Sequence, residues 1–126
     1  ILRSVYGDNH PHVAGSYNNL GGVYFTQGQY SQALTMLEKS LAINRSVYGD
    51  NHPDVAIDYN NLGSVYHDQG RYSEALPWFE KSLAIRLSLF GPNHPDVQAS
   101  YDWLAKVHDA LGNKVEADKY RACIKK

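Results

Sequence analysis

The sequence predicts an all-α protein, a solenoid of stacked antiparallel helix pairs, and three observations lead to that fold class. A unit of 42 residues is written three times along the 126-residue chain. Within each half-unit, apolar residues recur at the three- and four-residue spacing of one helical face. Glycines and a His-Pro pair stand where helices would end and begin again. Neither helix of a unit can bury its apolar stripe alone, so neighbouring units must stack.

The 42-residue period is visible in the turn that precedes each unit's first helix. The same three residues recur as Asn9-His10-Pro11, Asn51-His52-Pro53 and Asn93-His94-Pro95. The first and second copies (1–42 and 43–84) are identical at 30 of 42 positions, and the second and third (43–84 and 85–126) at 14. The period is therefore secure, and the third copy has diverged.

The first helix of a copy is predicted over about residues 13–27, with Tyr17, Leu20, Gly21 and Tyr24 on the face that packs against its partner. Gly28 ends this helix, because glycine readily takes the left-handed conformation of a helix C-cap.

The second helix is predicted over about residues 31–48, and Gly49 ends it. Asn51 or His52 would cap the next helix, and Pro53 suits its first position, where a missing N–H costs nothing. In the middle copy, Pro77 falls inside the second helix. A start near Ser73 places this proline just past the first turn, whereas a start near Gly70 would bend the helix, and the later start is favoured.

The chain is predicted to be a single array, 1–126, cut from a longer protein, because it opens on Ile1 in mid-pattern. Residues 1–7 match 43–49 and are predicted to be the end of a truncated preceding helix. The full helix pairs are predicted at 12–49, 54–91 and 96–126. The last pair has a charged final helix and is predicted to cap the solenoid.

These residues carry a resemblance to the tetratricopeptide repeat family. The first-helix pattern of that family is matched by Tyr17, Leu20, Gly21 and Tyr24 and by their equivalents 42 residues on. Its second-helix pattern is matched by Ala75 with Phe79. The 42-residue unit, with its Gly-x-x-His-Pro-x-Val loop, is similar to the repeats of kinesin light chains and nephrocystin-3-like proteins. The resemblance implies a right-handed superhelix whose first helices line a concave, peptide-binding face.

The predicted function is therefore a protein–protein interaction scaffold that binds a peptide or protein segment on the concave face. At about 100° per residue, three positions of each first helix lie together on the side away from the packing face. The predicted peptide-binding residues are Asn18, Gly22, Phe25, Asn60, Ser64, His67, Asp102, Lys106 and Asp109. The alternative function is an architectural or self-association segment of a longer array, joined head to tail through the truncated N-terminal helix.

The charges on the first helices limit the kind of partner that we expect. No charged residue lies in 13–27, and 55–69 holds only Asp58 and Asp68, so a neutral or mildly basic segment is expected rather than an acidic one. The net charge of −1 argues against nucleic acid, and no apolar stretch is long enough for a membrane span. A single cysteine, Cys123, fits a reducing compartment and a cytoplasmic location, and we expect it to be a small buried residue.

No enzyme is predicted, and no cofactor or metal. No nucleophile lies in a catalytic motif. The repeated histidines at 10, 52 and 94 would be separated by stacked helices about 8–10 Å apart, too far to share one ion. They are expected to lie at helix starts instead.

Overall fold

The computed structural model describes residues 11–124, which form six α-helices joined by short turns. In chain order they are α1 (Pro11–Thr26), α2 (Tyr30–Tyr48), α3 (Pro53–Asp68), α4 (Tyr72–Phe90), α5 (Pro95–Ala110) and α6 (Lys114–Cys123). The predicted helix over 1–7, and the head-to-tail contact assigned to it, lie outside the described residues.

The helices pack as three antiparallel pairs, α1 with α2, α3 with α4, and α5 with α6. Adjacent pairs meet where α2 contacts α3 and where α4 contacts α5. This arrangement confirms the predicted fold class, an all-α, right-handed solenoid of stacked helix pairs. The helix pairs begin within one residue of the predicted 12, 54 and 96, at the prolines that precede those positions.

The ends of the helices follow from the repeated turn residues. Five glycines with positive φ terminate the helices, at 28, 49, 70, 91 and 112, with φ values from 75° to 83°. His52 caps α3, since its Nδ1 accepts a hydrogen bond from the backbone N–H of Asp54 at 3.1 Å. His94 does the same for α5 through Asp96 at 3.0 Å. Of the two expected caps, histidine is the one used, which explains why it recurs.

The helix α4 begins at Tyr72, one residue before the favoured start, and continues through Pro77 to Phe90. Because proline has no N–H, the carbonyl of Ser73 lacks its helical donor. Ser73 is exposed, so water can satisfy that carbonyl.

Apolar burial depends on having a preceding helix pair. Leu62 and Val65 of α3 are 0% and 1% exposed, because α2 covers them. Their equivalents in α1, Leu20 and Val23, are 45% and 52% exposed. The expectation that Leu20 packs inside the pair is therefore wrong: this position faces the preceding pair.

In the third helix pair, two residues that contact each other in the second pair are both replaced. A Cβ on Gly63 would lie 2.9 Å from the Phe79 ring, so a larger residue there would force the ring to move. In the third pair Ala105 takes the glycine position and Arg121 takes the phenylalanine position. Arg121 instead forms ion pairs with Asp109 and Asp118. Cys123 follows on this charged helix and is exposed, so the expectation of a buried cysteine was wrong.

Candidate functional site

A trough runs between α1 and α3 with α2 as its floor, and we call it the first trough. It holds two chambers. The large chamber has a volume of about 360 Å³ and is lined by Asn18, Asn19, Gly21, Gly22, Phe25, Leu37, Asn61, Ser64 and Val65. The small chamber has a volume of about 170 Å³ and is lined by Gly15, Asn18, Ser40, Asn44, Asp54, Ile57 and Asp58.

Asn18 belongs to both chambers and connects α1 to α3. Its Oδ1 accepts a hydrogen bond from Asn61 Nδ2 at 2.9 Å. The Asn18 amide group and the second hydrogen of the Asn61 amide stay available for other partners, because each amide can form several hydrogen bonds. The two chambers therefore adjoin at a polar bridge that could also bind a peptide backbone.

The large chamber is uncharged. Phe25, Leu37 and Val65 supply apolar surface, while the asparagines and Ser64 supply hydrogen-bonding groups. Gly22 has no atom within 4 Å of the place where a Cβ would stand, so its small size leaves open space. Polar and apolar groups thus contribute about equally to the lining, so the chamber can form hydrogen bonds and accept an apolar side chain in the same place.

The small chamber contains a buried carboxylate. Asp58 is 1% exposed, and its two oxygens accept hydrogen bonds from Ser40 Oγ at 2.9 Å and Asn44 Nδ2 at 2.7 Å. Burial raises the pKa of Asp58 to about 6, although these two hydrogen bonds oppose the increase. None of the seven residues that line the chamber carries a positive charge.

A second trough lies between α3 and α5 over α4, and Trp103 fills it. Trp103 stands at the position of Asn61 in the first trough. Its ring stacks on Phe79 with a centroid separation of 4.9 Å and meets the edge of His67 at 5.3 Å. Since the equivalents of Phe79 and His67 are Leu37 and Phe25, which line the large chamber, the indole occupies the corresponding space.

Filling the second trough leaves two polar atoms without partners. Asn60, the equivalent of Asn18, lacks the donor that Asn61 supplies in the first trough. Its Oδ1 and the Nδ1 of His67 are both buried and form no hydrogen bond. Packing of aromatic rings has therefore replaced the amide bridge, at the cost of unsatisfied polar groups.

Position 44 also changes between the copies, from Asn44 to Arg86. The Nη1 of Arg86 lies 3.0 Å from Ser100 Oγ and 3.3 Å from the carbonyl oxygen of Asp96. Ser100 is the equivalent of Asp58, and Asp96 of Asp54. Thus a guanidinium group occupies the second trough where the first has its small chamber.

The nine predicted binding residues separate into three groups. Asn18, Gly22, Phe25 and Ser64 line the large chamber of the first trough. Asn60 and His67 lie half-buried beside the second trough. Asp102, Lys106 and Asp109 are exposed on α5. Two of these three are paired with each other, since Lys106 Nζ lies 2.9 Å from Asp102, and Asp109 is held by Arg121.

Sequence reasoning missed Asn61, Asp58 and Trp103 as residues of the site. The signal available was the difference between copies at 61 and 103 and at 58 and 100. These positions are not among the three per helix that the helical projection selected. The projection considered one first helix at a time, whereas the first helices of two neighbouring copies line each trough.

Among residues 11–124, no group of three or more His, Cys, Asp or Glu side chains is arranged to hold a metal ion. In the same part of the chain, no helix is long and apolar enough to cross a membrane.

Comparison with known proteins gives one family match. The sequence profile described as Tetratricopeptide repeat matches three overlapping segments, residues 1–46, 12–88 and 59–120. No curated protein matches the chain at a significant level.

Several solved structures share the fold. BtubC (BKLC) from P. vanneervenii superposes with a TM-score of 0.87 at 24% identity, over 97% of this chain and 50% of that one. A putative kinesin light chain from Podosopora anserina, with nearly identical TPR-like repeats, gives 0.77 at 28% identity over 92% of this chain and 55% of that one. The TPR domain of Arabidopsis FLU gives 0.77 at 20% identity, over 86% and 88%. The chain thus spans about half the length of the first two.

Proposed function

Because the chain belongs to the tetratricopeptide repeat family, we propose that it is a protein-interaction scaffold whose first trough binds an extended segment of another protein. Tetratricopeptide repeats generally mediate protein–protein interactions. The choice of the first trough rests on the large chamber between α1 and α3, which is open and uncharged. In the second trough, Trp103 fills the equivalent space.

The chemistry of the first trough favours an extended peptide. Asn18 and Asn61 offer amide groups that can both donate to and accept from a peptide backbone. Phe25 and Leu37 offer apolar surface for one side chain of the segment. The absence of Lys and Arg from the residues that line both chambers disfavours an acidic segment, in keeping with the predicted neutral or mildly basic partner. The cytoplasmic location stays a prediction.

The chain itself suggests the variant that tests this proposal. Asn61→Trp places in the first trough the residue that fills the second. We expect it to weaken binding of peptides selected from a displayed random library by about tenfold or more, because the ligand would have to displace a packed indole. Ser46→Trp, at an exposed position of α2 that lines neither chamber, is the matched control. Affinities of the three proteins are measured by titration calorimetry, with far-UV circular dichroism to confirm folding.

Equal affinity of the wild type and Asn61→Trp would contradict binding in the first trough. Failure of the library to yield any ligand would contradict the scaffold function of this segment.

A second candidate function, the architectural or self-association role, is supported by the exposed Leu20 and Val23. Their equivalents Leu62 and Val65 are buried by a preceding helix pair, so this face of α1 is suited to receive another helix. Sedimentation of the wild type and of a Leu20→Ser/Val23→Ser double variant tests it. A mass that rises with concentration in the wild type alone would favour this function, and a wild-type monomer at all concentrations would argue against self-association.

A further inference from the structure

The small chamber of the first trough is an unusual surrounding for a carboxylate. Asp58 is buried, yet the chamber beside it is about 170 Å³ in volume and has no cation in its lining. Its two hydrogen bonds come from the neutral groups of Ser40 and Asn44. A buried charge without an opposite charge is costly, so the ionised form of Asp58 is incompletely stabilised.

The carboxylate of Asp58 retains unused accepting capacity. Each of its oxygens accepts one hydrogen bond from the protein, and an ionised carboxylate offers about four acceptor sites. Asp54 lines the same chamber and adds negative potential, and it lies among the causes of the raised pKa of Asp58. The chamber therefore has the electrostatics and the acceptor groups that a cation would require.

The second trough indicates which cation fits. Arg86, at the position of Asn44, extends its guanidinium between the equivalents of Asp54 and Asp58. It is only 8% exposed, its hydrogen-bond partners there are a neutral hydroxyl and a carbonyl oxygen, and the Asp96 carboxylate acts on it at longer range. In the first trough the residue at this position is the shorter Asn44, and the anion at position 58 is present without the cation. At these two equivalent positions, the first trough thus has the carboxylate without the guanidinium and the second has the guanidinium without the carboxylate.

We propose that the small chamber receives the guanidinium group of an arginine side chain carried by the bound protein segment. This inference rests on the proposed function, because the segment in the large chamber would supply the arginine. Asn18 lines both chambers, so the two sites are adjacent along the trough. The ligand is then an extended segment with an uncharged side chain for the large chamber and an arginine beside it.

The test uses a small probe, so that it does not depend on finding the segment. N-acetyl-L-arginine N-methylamide is titrated into the ¹⁵N-labelled protein while amide chemical shifts around Asp58 are followed. The citrulline analogue, which has the same shape without the charge, is the control probe. We expect the arginine probe to bind at least about tenfold more tightly, since a charge-assisted hydrogen bond contributes roughly that factor or more.

Two variants make the result specific to the chamber. Asp58→Asn removes the charge and should reduce binding of the arginine probe to that of the citrulline probe. Asn44→Arg places the protein's own guanidinium in the chamber and should abolish probe binding while raising the melting temperature. In the Asp58→Asn background, Asn44→Arg should no longer raise the melting temperature, because the pairing partner is gone.

The proposal would be overturned if the two probes bound the wild type equally well. It would also be overturned if Asn44→Arg bound the arginine probe as tightly as the wild type does. The scaffold function can fail separately. Library peptides that bind the first trough without enrichment of arginine would overturn only the small-chamber inference. The absence of any binding peptide, with the arginine probe still bound, would overturn the scaffold function and the protein segment as the source of the arginine, while the guanidinium site itself would stand.

Discussion

The first and second troughs are built from equivalent positions of neighbouring copies, yet one is open and the other is filled. The difference depends mainly on position 61 of the second copy and its equivalent 103 of the third. Asn61 forms a bridge to Asn18 and leaves about 360 Å³ free, whereas Trp103 stacks on Phe79. A repeat array can therefore keep its fold while a few substitutions decide whether an open concavity lies between neighbouring copies.

The same comparison holds for charge. The first trough has a buried Asp58 without a cation in the chamber lining, and the second has a buried Arg86 whose hydrogen-bond partners are neutral and on which the Asp96 carboxylate acts at longer range. Burial lowers the pKa of Arg86 and raises that of Asp58, so each group is desolvated without full compensation.

The largest expected effect comes from removing the residue that fills the second trough. Trp103→Ala should destabilise the protein by about 2–3 kcal/mol, because it removes the ring packed on Phe79 and His67. Asn61→Ala, at the equivalent position, should cost less than about 1 kcal/mol, since only a half-buried hydrogen bond is lost. Urea unfolding followed by circular dichroism measures both. Similar losses in the two variants would show that the troughs do not differ as described.

The second-largest expected effect is a gain in stability rather than a loss, and it depends on pH. The folded protein holds the proton of Asp58 more tightly than the unfolded chain does, because its pKa is raised from 3.8 to about 6. The stability contributed by this residue is therefore full below about pH 4 and decreases as the pH rises through about 6. Asp58→Asn should remove this decrease and stabilise the protein at pH 7 by on the order of 2 kcal/mol.

Measurement of the unfolding free energy of wild type and Asp58→Asn between pH 4 and pH 8 tests this expectation. The difference between the two proteins isolates Asp58 from other carboxyl groups, such as those of Glu74 and Asp118, whose pKa values are lowered by Arg71 and Arg121. A variant less stable than the wild type at pH 7 would mean that the buried carboxylate is better compensated than its surroundings indicate.

The smallest expected effects come from two glycines of the first helices, one packed against a ring and the other facing open space. Gly63→Ala should destabilise the protein by about 1–2 kcal/mol, because the new Cβ would lie 2.9 Å from the Phe79 ring. Gly22→Ala, in the large chamber, should stabilise the helix by about 0.5–1 kcal/mol, since no atom lies within 4 Å of its Cβ. Thermal unfolding of the two variants gives the comparison, and a stabilising Gly63→Ala would contradict the close contact.

Much of the architecture followed from local chemistry that is repeated in the sequence. The helix ends at Gly28 and Gly49 and the start at Pro53 were predicted within two residues, because backbone conformation and capping depend on immediate neighbours. The burial of Leu20 was not predicted correctly, because it depends on a neighbouring pair rather than on its own helix. The same reason explains why Asn61 and Asp58 were missed as residues of the candidate site.

The sequence by itself determined the period, the helix pairs, the turns between them and the tetratricopeptide repeat family. Each of these depends on residues within one copy or on their regular recurrence. Only the tertiary structure decided which trough is open, because that depends on side chains from three helices meeting at one place. Whether Trp103 fills a concavity, and whether Asp58 lies beside an open one, depends on how neighbouring copies stack.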